Sequence, residues 1–153
     1  LGEMEIERKF LVNTDLLSNV LPKTGLSIKQ GYFVSNEQFA VRVRTKGPKG
    51  FITIKGAGNG ISREEFEYEI PVTEAEQMLE LFAKPYLHKI RYEIPHEGHT
   101  WEVDVFQGEL APLQLAEIEL TQEDESFIKP DFVREEVTFD PAYLNSNIVK
   151  RLK

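Results

Sequence analysis

Apolar and polar residues alternate along most of this chain, and a period of two residues is typical of β-strands. In the first such stretch, one face carries Glu5, Glu7 and Lys9, while the opposite face is mostly apolar. Alternation recurs in seven later stretches, which are Ser27 to Ser35, Phe39 to Thr45, Gly50 to Lys55, Ser62 to Ile70, Leu87 to Ile94, Thr100 to Gln107 and Leu115 to Leu120. The pattern therefore predicts eight strands.

Helical patterns are few. Thr73-Glu74-Ala75-Glu76 has the spacing of a capping box, and it predicts a helix that ends before Pro85. Asn13 to Val20 is expected to be a short helix or turn, and Thr121 to Ile128 is a candidate for a second helix. Asp140-Pro141 predicts a cap followed by proline at the first helical position.

Charged residues share one face on seven of the eight predicted strands, with Ser27 to Ser35 as the exception. On a single strand, this arrangement is usually an ordinary face exposed to solvent. Its recurrence, with almost no Ser, Thr, Asn or Gln at these positions, favours an interior location. We therefore predict a mainly β (α+β) fold, in which an eight-stranded antiparallel β-barrel has a charged lumen and its apolar outer face is covered by helices.

Composition restricts the class of protein. A chain of 153 residues suits a single domain over residues 1–153, with Leu1-Gly2-Glu3 before Met4 expected to be a non-native remnant. The chain has no cysteine and no long apolar run, so we expect a cytoplasmic protein without disulfides, thiolate metal sites or membrane spans. The net charge of −8 argues against nucleic acid and membrane surfaces as partners.

The predicted lumen brings both signs of charge together. Its cations are Lys9, Arg42, Arg44, Lys55, Arg63, Lys89 and Arg91, and its anions are Glu5, Glu7, Glu65, Glu67, Glu102, Asp104, Glu117 and Glu119. Arginine and lysine side chains suit phosphate oxygens, whereas carboxylates suit Mg²⁺ or Mn²⁺. A compact anion with several phosphates, bound together with a divalent metal ion, would satisfy both sets.

These residues also follow the order of a known family's motifs. Glu5, Glu7 and Lys9 form a Glu-x-Glu-x-Lys strand, and further matching pieces are Gln30-Gly31-Tyr32, Val41 to Arg44, Thr53 to Lys55, Arg63 to Glu67, Lys89 to Arg91, Trp101 to Phe106, Ala116 to Leu120, Glu135 to Thr138 and Tyr143 to Asn145. In this respect the chain resembles the CYTH family of triphosphate tunnel metalloenzymes, which includes class IV adenylate cyclases, thiamine triphosphatases and inorganic tripolyphosphatases. Arg134-Glu135-Glu136 departs from the glycine-containing pattern of that family.

The resemblance implies an eight-stranded tunnel that binds a linear triphosphate with one or two divalent metal ions. By this likeness Lys9, Arg42, Arg44, Lys55, Lys89 and Arg91 would hold phosphates, and Glu5, Glu7, Asp104, Glu117 and Glu119 would bind or orient the metals. Lys89 and Tyr32 resemble the catalytic dyad of small bacterial tripolyphosphatases, although Tyr32 could instead be structural. The resemblance and the outward apolar faces are also compatible with a homodimer.

The leading hypothesis is metal-dependent hydrolysis of inorganic tripolyphosphate to pyrophosphate and phosphate. Adenylate cyclase, thiamine triphosphatase and a non-catalytic polyphosphate or nucleotide-binding protein are the alternatives. Within the hydrolase hypothesis, the proton acceptor is either a carboxylate such as Glu5 or Glu7, or Lys89 with a pKa lowered by neighbouring cations.

Overall fold

The computed structural model describes residues 3–153, and these residues form nine strands. The strands are β1 (Glu3–Val12), β2 (Leu26–Ser35), β3 (Phe39–Lys46), β4 (Lys49–Gly56), β5 (Ser62–Ile70), β6 (Leu87–His96), β7 (His99–Phe106), β8 (Gln114–Glu119) and β9 (Val133–Glu136). Each of the eight predicted strands is present with its ends displaced by at most three residues. The ninth was not predicted as a strand.

Eight strands close into an antiparallel barrel. Their order is β5-β4-β3-β2-β6-β7-β8-β1, and pairing of β1 with β5 closes the ring. The first half of β1 pairs with β5 and the second half pairs with β8, so β1 joins the two ends of the sheet. The predicted barrel is therefore confirmed.

Strand β9 occupies the edge of β1 beyond the end of β5. It aligns Glu136 with Phe10 and Val133 with Val12. The Glu136 carboxylate accepts a hydrogen bond from Arg8 Nε at 2.8 Å and another from Thr138 Oγ1 at 2.6 Å. The segment that departs from the family pattern thus completes the sheet through an ion pair with β1.

The outward faces of β1, β7 and β8 pack into an apolar core. This core contains Phe10, Trp101, Val103, Ala116 and Ile118, all of them fully buried. Helix α1 (Thr14–Ser18) contributes Leu17 to it and begins at Asn13, whose side chain accepts a hydrogen bond from Leu16 N.

The segment from Thr121 to Ile128, which also covers this core, is not helical, so the helix predicted there is wrong. The Glu125 carboxylate accepts hydrogen bonds from Thr121 N and from Thr121 Oγ1, both at 2.6 Å. Phe127 packs edge-on against Phe10 and Trp101. Side-chain contacts therefore hold this segment against the barrel in place of a helical backbone.

Helix α2 (Val72–Phe82) covers part of the other side of the barrel, where Ala75 and Leu79 pack with Val43. The predicted helix is confirmed, but the capping box is wrong, because the helix begins after Pro71 without a side-chain cap. No helix among residues 3–153 is long and apolar enough to cross a membrane.

The chain ends with a segment that folds back onto the barrel. Pro141–Tyr143 form a 3₁₀ turn, helix α3 spans Asn145–Ile148, and a second 3₁₀ turn spans Val149–Arg151. Asp140 caps the first turn by accepting a hydrogen bond from Ala142 N, as predicted.

One end of the barrel interior is apolar rather than charged. Leu11 pairs with Leu115 and Lys89 pairs with Phe106 across neighbouring strands, so these apolar residues share the inward face with the charged ones. Ile148 of α3 packs against them and is fully buried. The lumen is therefore closed at this end by the C-terminal segment.

Replacement of Phe10 by alanine is expected to lower the free energy of unfolding by about 3–5 kcal/mol, because it leaves a cavity in the outer core. Urea denaturation followed by fluorescence of the single tryptophan measures this loss. Phe82→Ala is the matched control: its side chain is 68% exposed, and a loss above about 1 kcal/mol there would contradict the assignment of the core.

Candidate active site

The barrel encloses a cavity of about 180 Å³, far more than the roughly 10–15 Å³ that one water molecule requires. Most of its lining is charged, and the lining residues are Glu5, Glu7, Tyr32, Ala40, Arg42, Arg44, Lys46, Lys55, Arg63, Glu65, Glu67, Lys89, Arg91, Glu102, Glu117, Glu119, Leu144, Asn145 and Ser146. All but two of the predicted site residues are among them. The exceptions are Lys9 and Asp104.

Lys9 and Asp104 lie on the inward face but do not line this cavity. Lys9 instead lines a neighbouring cavity of about 20 Å³, together with Glu7 and Arg63. Lys9 Nζ donates to the Tyr143 carbonyl oxygen at 2.8 Å and lies 3.6 Å from Glu117 Oε1. Asp104 is 1% exposed, and its two oxygens accept hydrogen bonds from Arg91 Nε and Nη2 at 2.8 and 2.9 Å. Both side chains are therefore placed to support cavity residues, Lys9 through Glu117 and Asp104 through Arg91.

Several lining residues were not predicted as site residues. Lys46 continues the inward face of Arg42 and Arg44, so strand alternation could have identified it. Leu144, Asn145 and Ser146 belong to the C-terminal segment, and no strand pattern signals their approach to the lumen.

On the β3 side of the cavity, two arginines share one carboxylate. Arg42 Nη2 and Arg44 Nη2 lie 3.6 and 3.3 Å from Glu67 Oε2, which also accepts a hydrogen bond of 2.7 Å from Thr53 Oγ1. The buried Nε atoms of both arginines make no hydrogen bond with any residue among 3–153. Burial and the neighbouring Arg42 charge lower the pKa of Arg44, which still stays protonated at neutral pH. These unpaired donors are suited to an anionic ligand.

Where β1 closes the barrel against β5, cations of β4 and β5 contact the carboxylates of β1. Lys55 Nζ donates to Glu5 Oε1 at 2.8 Å and lies 3.3 Å from Glu65 Oε2. Arg63 lies 3.5 Å from Glu5 and 3.8 Å from Glu7. The same carboxylates therefore face two cations and the cavity.

Lys89 is the most deeply buried cation of the lumen, at 1% exposure. Its Nζ donates to Asn145 Oδ1 at 3.1 Å and lies 2.8 Å from Asp104 Oδ2. Burial lowers the pKa of Lys89 to about 8, with Asp104 opposing that shift and Arg91 adding to it. A lysine with this pKa can exchange a proton near neutral pH.

Arg91 has the opposite shift. Burial disfavours its charge, but the paired Asp104 carboxylate more than compensates and raises the pKa of Arg91 well above its usual value. Arg91 also lies 3.2 Å from Glu102 and 3.9 Å from Glu117. It is therefore a permanent cation at the cavity wall.

Three carboxylates could hold a metal ion. Glu5, Glu7 and Glu119 each offer one oxygen, and these oxygens lie within 4.8 Å of one another. Burial and the nearby charges of Glu102, Glu5 and Glu7 raise the pKa of Glu119 to about 7. Oxygen donors at this spacing suit a hard divalent ion such as Mg²⁺ or Mn²⁺.

Tyr32 reaches the cavity from β2, where it lies opposite Arg42. Its hydroxyl oxygen accepts a hydrogen bond of 2.8 Å from Nε2 of the fully buried Gln30. The hydroxyl proton is therefore free to point elsewhere, which allows Tyr32 to donate to a bound ligand.

The sequence is similar to a known protein family and to proteins of known activity. The CYTH domain family matches residues 3–148. An inorganic triphosphatase of Acetivibrio thermocellus is 50% identical over 147 residues, which cover 95% of this chain and 93% of that protein. The inorganic triphosphatase of Nitrosomonas europaea is 39% identical over 148 residues, covering 92% and 93%. The chain belongs to the CYTH domain family.

A solved structure is also similar. The crystal structure of an inorganic triphosphatase superposes with a TM-score of 0.66 and 34% sequence identity, covering 95% of this chain and 93% of that one. Membership in the family implies a divalent metal ion, and the donor set of Glu5, Glu7 and Glu119 fits one.

The raised pKa of Glu119 predicts a pH-dependent stability of the metal-free protein. Between the ordinary glutamate pKa of about 4.5 and about 7, the folded state holds a proton that the unfolded state has released, so stability falls as pH rises. Glu119→Gln should therefore raise the melting temperature at pH 8 but not at pH 4. Equal effects at the two pH values would contradict the assignment.

Proposed function

We propose that this protein hydrolyses the terminal phosphoanhydride bond of inorganic tripolyphosphate, giving pyrophosphate and phosphate, with Mg²⁺ or Mn²⁺ as cofactor. The observation that carries the proposal is the cavity itself, in which cations suited to phosphate and a carboxylate cluster suited to metal share one lumen. The inorganic triphosphatases similar to this chain over more than 90% of its length support the choice of substrate.

Phosphate binding is assigned to the cations of the cavity wall. Arg42 and Arg44 present Nε donors without protein partners, and the planar guanidinium can contact two phosphate oxygens at once. The remaining cations are assigned because they line the cavity, and they are Lys46, Lys55, Arg63 and Arg91. Lys9 is assigned a supporting role, because its ammonium is directed at Tyr143 and Glu117.

Metal binding is assigned to Glu5, Glu7 and Glu119. When bound there, the metal would neutralise phosphate charge and acidify a coordinated water. Glu65, Glu67, Glu102 and Glu117 also line the cavity, where they neutralise cations. Asp104 is assigned to orient Lys89 and Arg91, because both of its oxygens are taken by those cations.

Proton transfer is assigned to Lys89 and Tyr32. In the reaction a water oxygen forms a bond to the terminal phosphorus, the bond from that phosphorus to the bridging oxygen breaks, and the water proton must be accepted. Lys89, with a pKa of about 8, is present in part as the neutral amine and can accept that proton. Tyr32 can donate a hydrogen bond to a phosphate oxygen, because Gln30 already occupies one of its acceptor positions.

The cavity favours an inorganic substrate over a nucleotide or thiamine triphosphate. A base or thiamine ring would need an apolar or aromatic seat. Among the lining residues, only Tyr32, Ala40 and Leu144 offer apolar surface, and Tyr32 is assigned to the reaction. The lumen is otherwise suited to phosphate alone.

The substrate can be tested by supplying tripolyphosphate, ATP or thiamine triphosphate, each with Mg²⁺ and with Mn²⁺. We expect kcat/KM for tripolyphosphate to exceed the other two by at least about 100-fold, a difference that a missing ring seat makes reasonable. Phosphate release and cyclic AMP formation are the measurements. Cyclic AMP as the main product from ATP would overturn the proposal in favour of a cyclase, and tight binding of tripolyphosphate without turnover would favour a sensor.

Lys89→Ala should lower kcat for tripolyphosphate by about 100-fold or more, the size expected for loss of a proton-transfer group. Lys49→Ala is the matched control, because Lys49 is an exposed strand lysine outside the cavity that lies 3.9 Å from Glu69. A kcat for Lys89→Ala within threefold of the Lys49→Ala value would remove Lys89 from the mechanism.

A further inference from the structure

The C-terminal segment contacts Lys89 through the side chain of Asn145. Asn145, the first residue of α3, places its Oδ1 atom 3.1 Å from Lys89 Nζ. Asp104 Oδ2 lies 2.8 Å from the same nitrogen. Two of the three directions around Nζ are therefore fixed by protein oxygens.

The contacts with Asp104 and Asn145 restrict where Lys89 Nζ can make a third hydrogen bond. Lys89 lines the cavity although it is 1% exposed. The one direction of Nζ that Asp104 and Asn145 leave free is therefore the one available to a ligand in the lumen. With a single partner, rotation about the side-chain torsions of Lys89 could move Nζ while that one contact is kept. Asn145 supplies a second contact that restrains this motion.

Asn145 is itself held firmly. Three residues after it, Ile148 is fully buried in the apolar end of the lumen, together with Leu87 of the strand that carries Lys89. Two residues before it, the Tyr143 carbonyl accepts the hydrogen bond from Lys9 Nζ. The amide is therefore anchored on both sides, which is a requirement for a group that positions another.

We propose that Asn145 is a positioning residue that aims the Lys89 amine at the terminal phosphate site. Its catalytic consequence rests on the proposed function, whereas the orientation of Lys89 is a property of the protein without substrate. The C-terminal segment thereby has a second role besides closing the lumen, because it contributes a polar group to the active site.

Orientation can be tested without turnover. In protein labelled at lysine, the side-chain NMR signal of Lys89 is assigned by its loss in Lys89→Ala. Asn145→Ala is expected to shift or broaden this signal. Asn147→Ala is the matched control, because Asn147 lies on the same helix and bonds to the Pro141 carbonyl instead. A Lys89 signal that is unchanged in Asn145→Ala, or that moves equally in Asn147→Ala, would overturn the proposal.

The consequence for catalysis is tested by a double-mutant cycle. Asn145→Ala should lower kcat about 10-fold with little change in KM, the size expected for a hydrogen bond to a charged group. In the Lys89→Ala background the same substitution should have an effect near onefold, because Asn145 acts through Lys89. An equal loss in both backgrounds would show that Asn145 only supports the segment, and would overturn the proposal.

The two hypotheses fail differently. A parent enzyme that does not hydrolyse tripolyphosphate would overturn the proposed function while the NMR comparison still decides the role of Asn145. A parent that hydrolyses tripolyphosphate with additive effects of the two substitutions would overturn only the role of Asn145.

Discussion

Mutual neutralisation of buried charge is the constraint on which this structure depends. The inward face carries eight cations, counting Lys46, and eight carboxylates, and most of them lie within 4 Å of an opposite charge. An unpaired ion in such a place would cost several kcal/mol. The strand register must therefore align opposite charges, as it does where Lys55 faces Glu65 and Arg91 faces Asp104. In this barrel, the apolar packing that stabilises the fold lies largely on the outer face rather than in the interior.

This balance has a direct consequence for ligand binding. A polyphosphate that engages Arg42, Arg44 or Lys55 must weaken their contacts with Glu67 or Glu5, and the released carboxylates then need another cation. A divalent ion at Glu5, Glu7 and Glu119 would supply it. Substrate and metal are therefore expected to bind with positive cooperativity, because each relieves the charge that the other leaves unbalanced. Such coupling arises from electrostatics alone and requires no change of fold.

Much of the fold could be predicted from the sequence because strand alternation is a local property. Side chains two residues apart share a face whatever the rest of the chain does, so the common face of Arg42 and Arg44 follows from the strand itself. Closure into a barrel could be inferred because seven strands repeat the charged face. Most cavity residues could be predicted from this alternation, and the family resemblance predicts their roles.

Features that depend on distant contacts could not be predicted in this way. The cover over Thr121 to Ile128 has helical composition, yet contacts of Phe127 with Phe10 and Trp101 override that preference. Strand alternation correctly predicts that Asp104 lies on the inward face, but it does not predict how far along the lumen a side chain lies. The approach of Asn145 to Lys89 depends on how Ile148 docks, which no local pattern encodes.

The apolar closure of the lumen by Leu11, Leu115, Phe106 and Ile148 determines how a polymer can meet this enzyme. The neighbouring side cavity, about 20 Å³ in volume, has room for little more than one water molecule. A long polyphosphate is therefore expected to insert one end into the lumen rather than to thread through the barrel. Each product would then leave through the opening by which the substrate entered. The depth of the lumen, from that opening to the apolar closure, would limit how many phosphates of one chain can be bound at once.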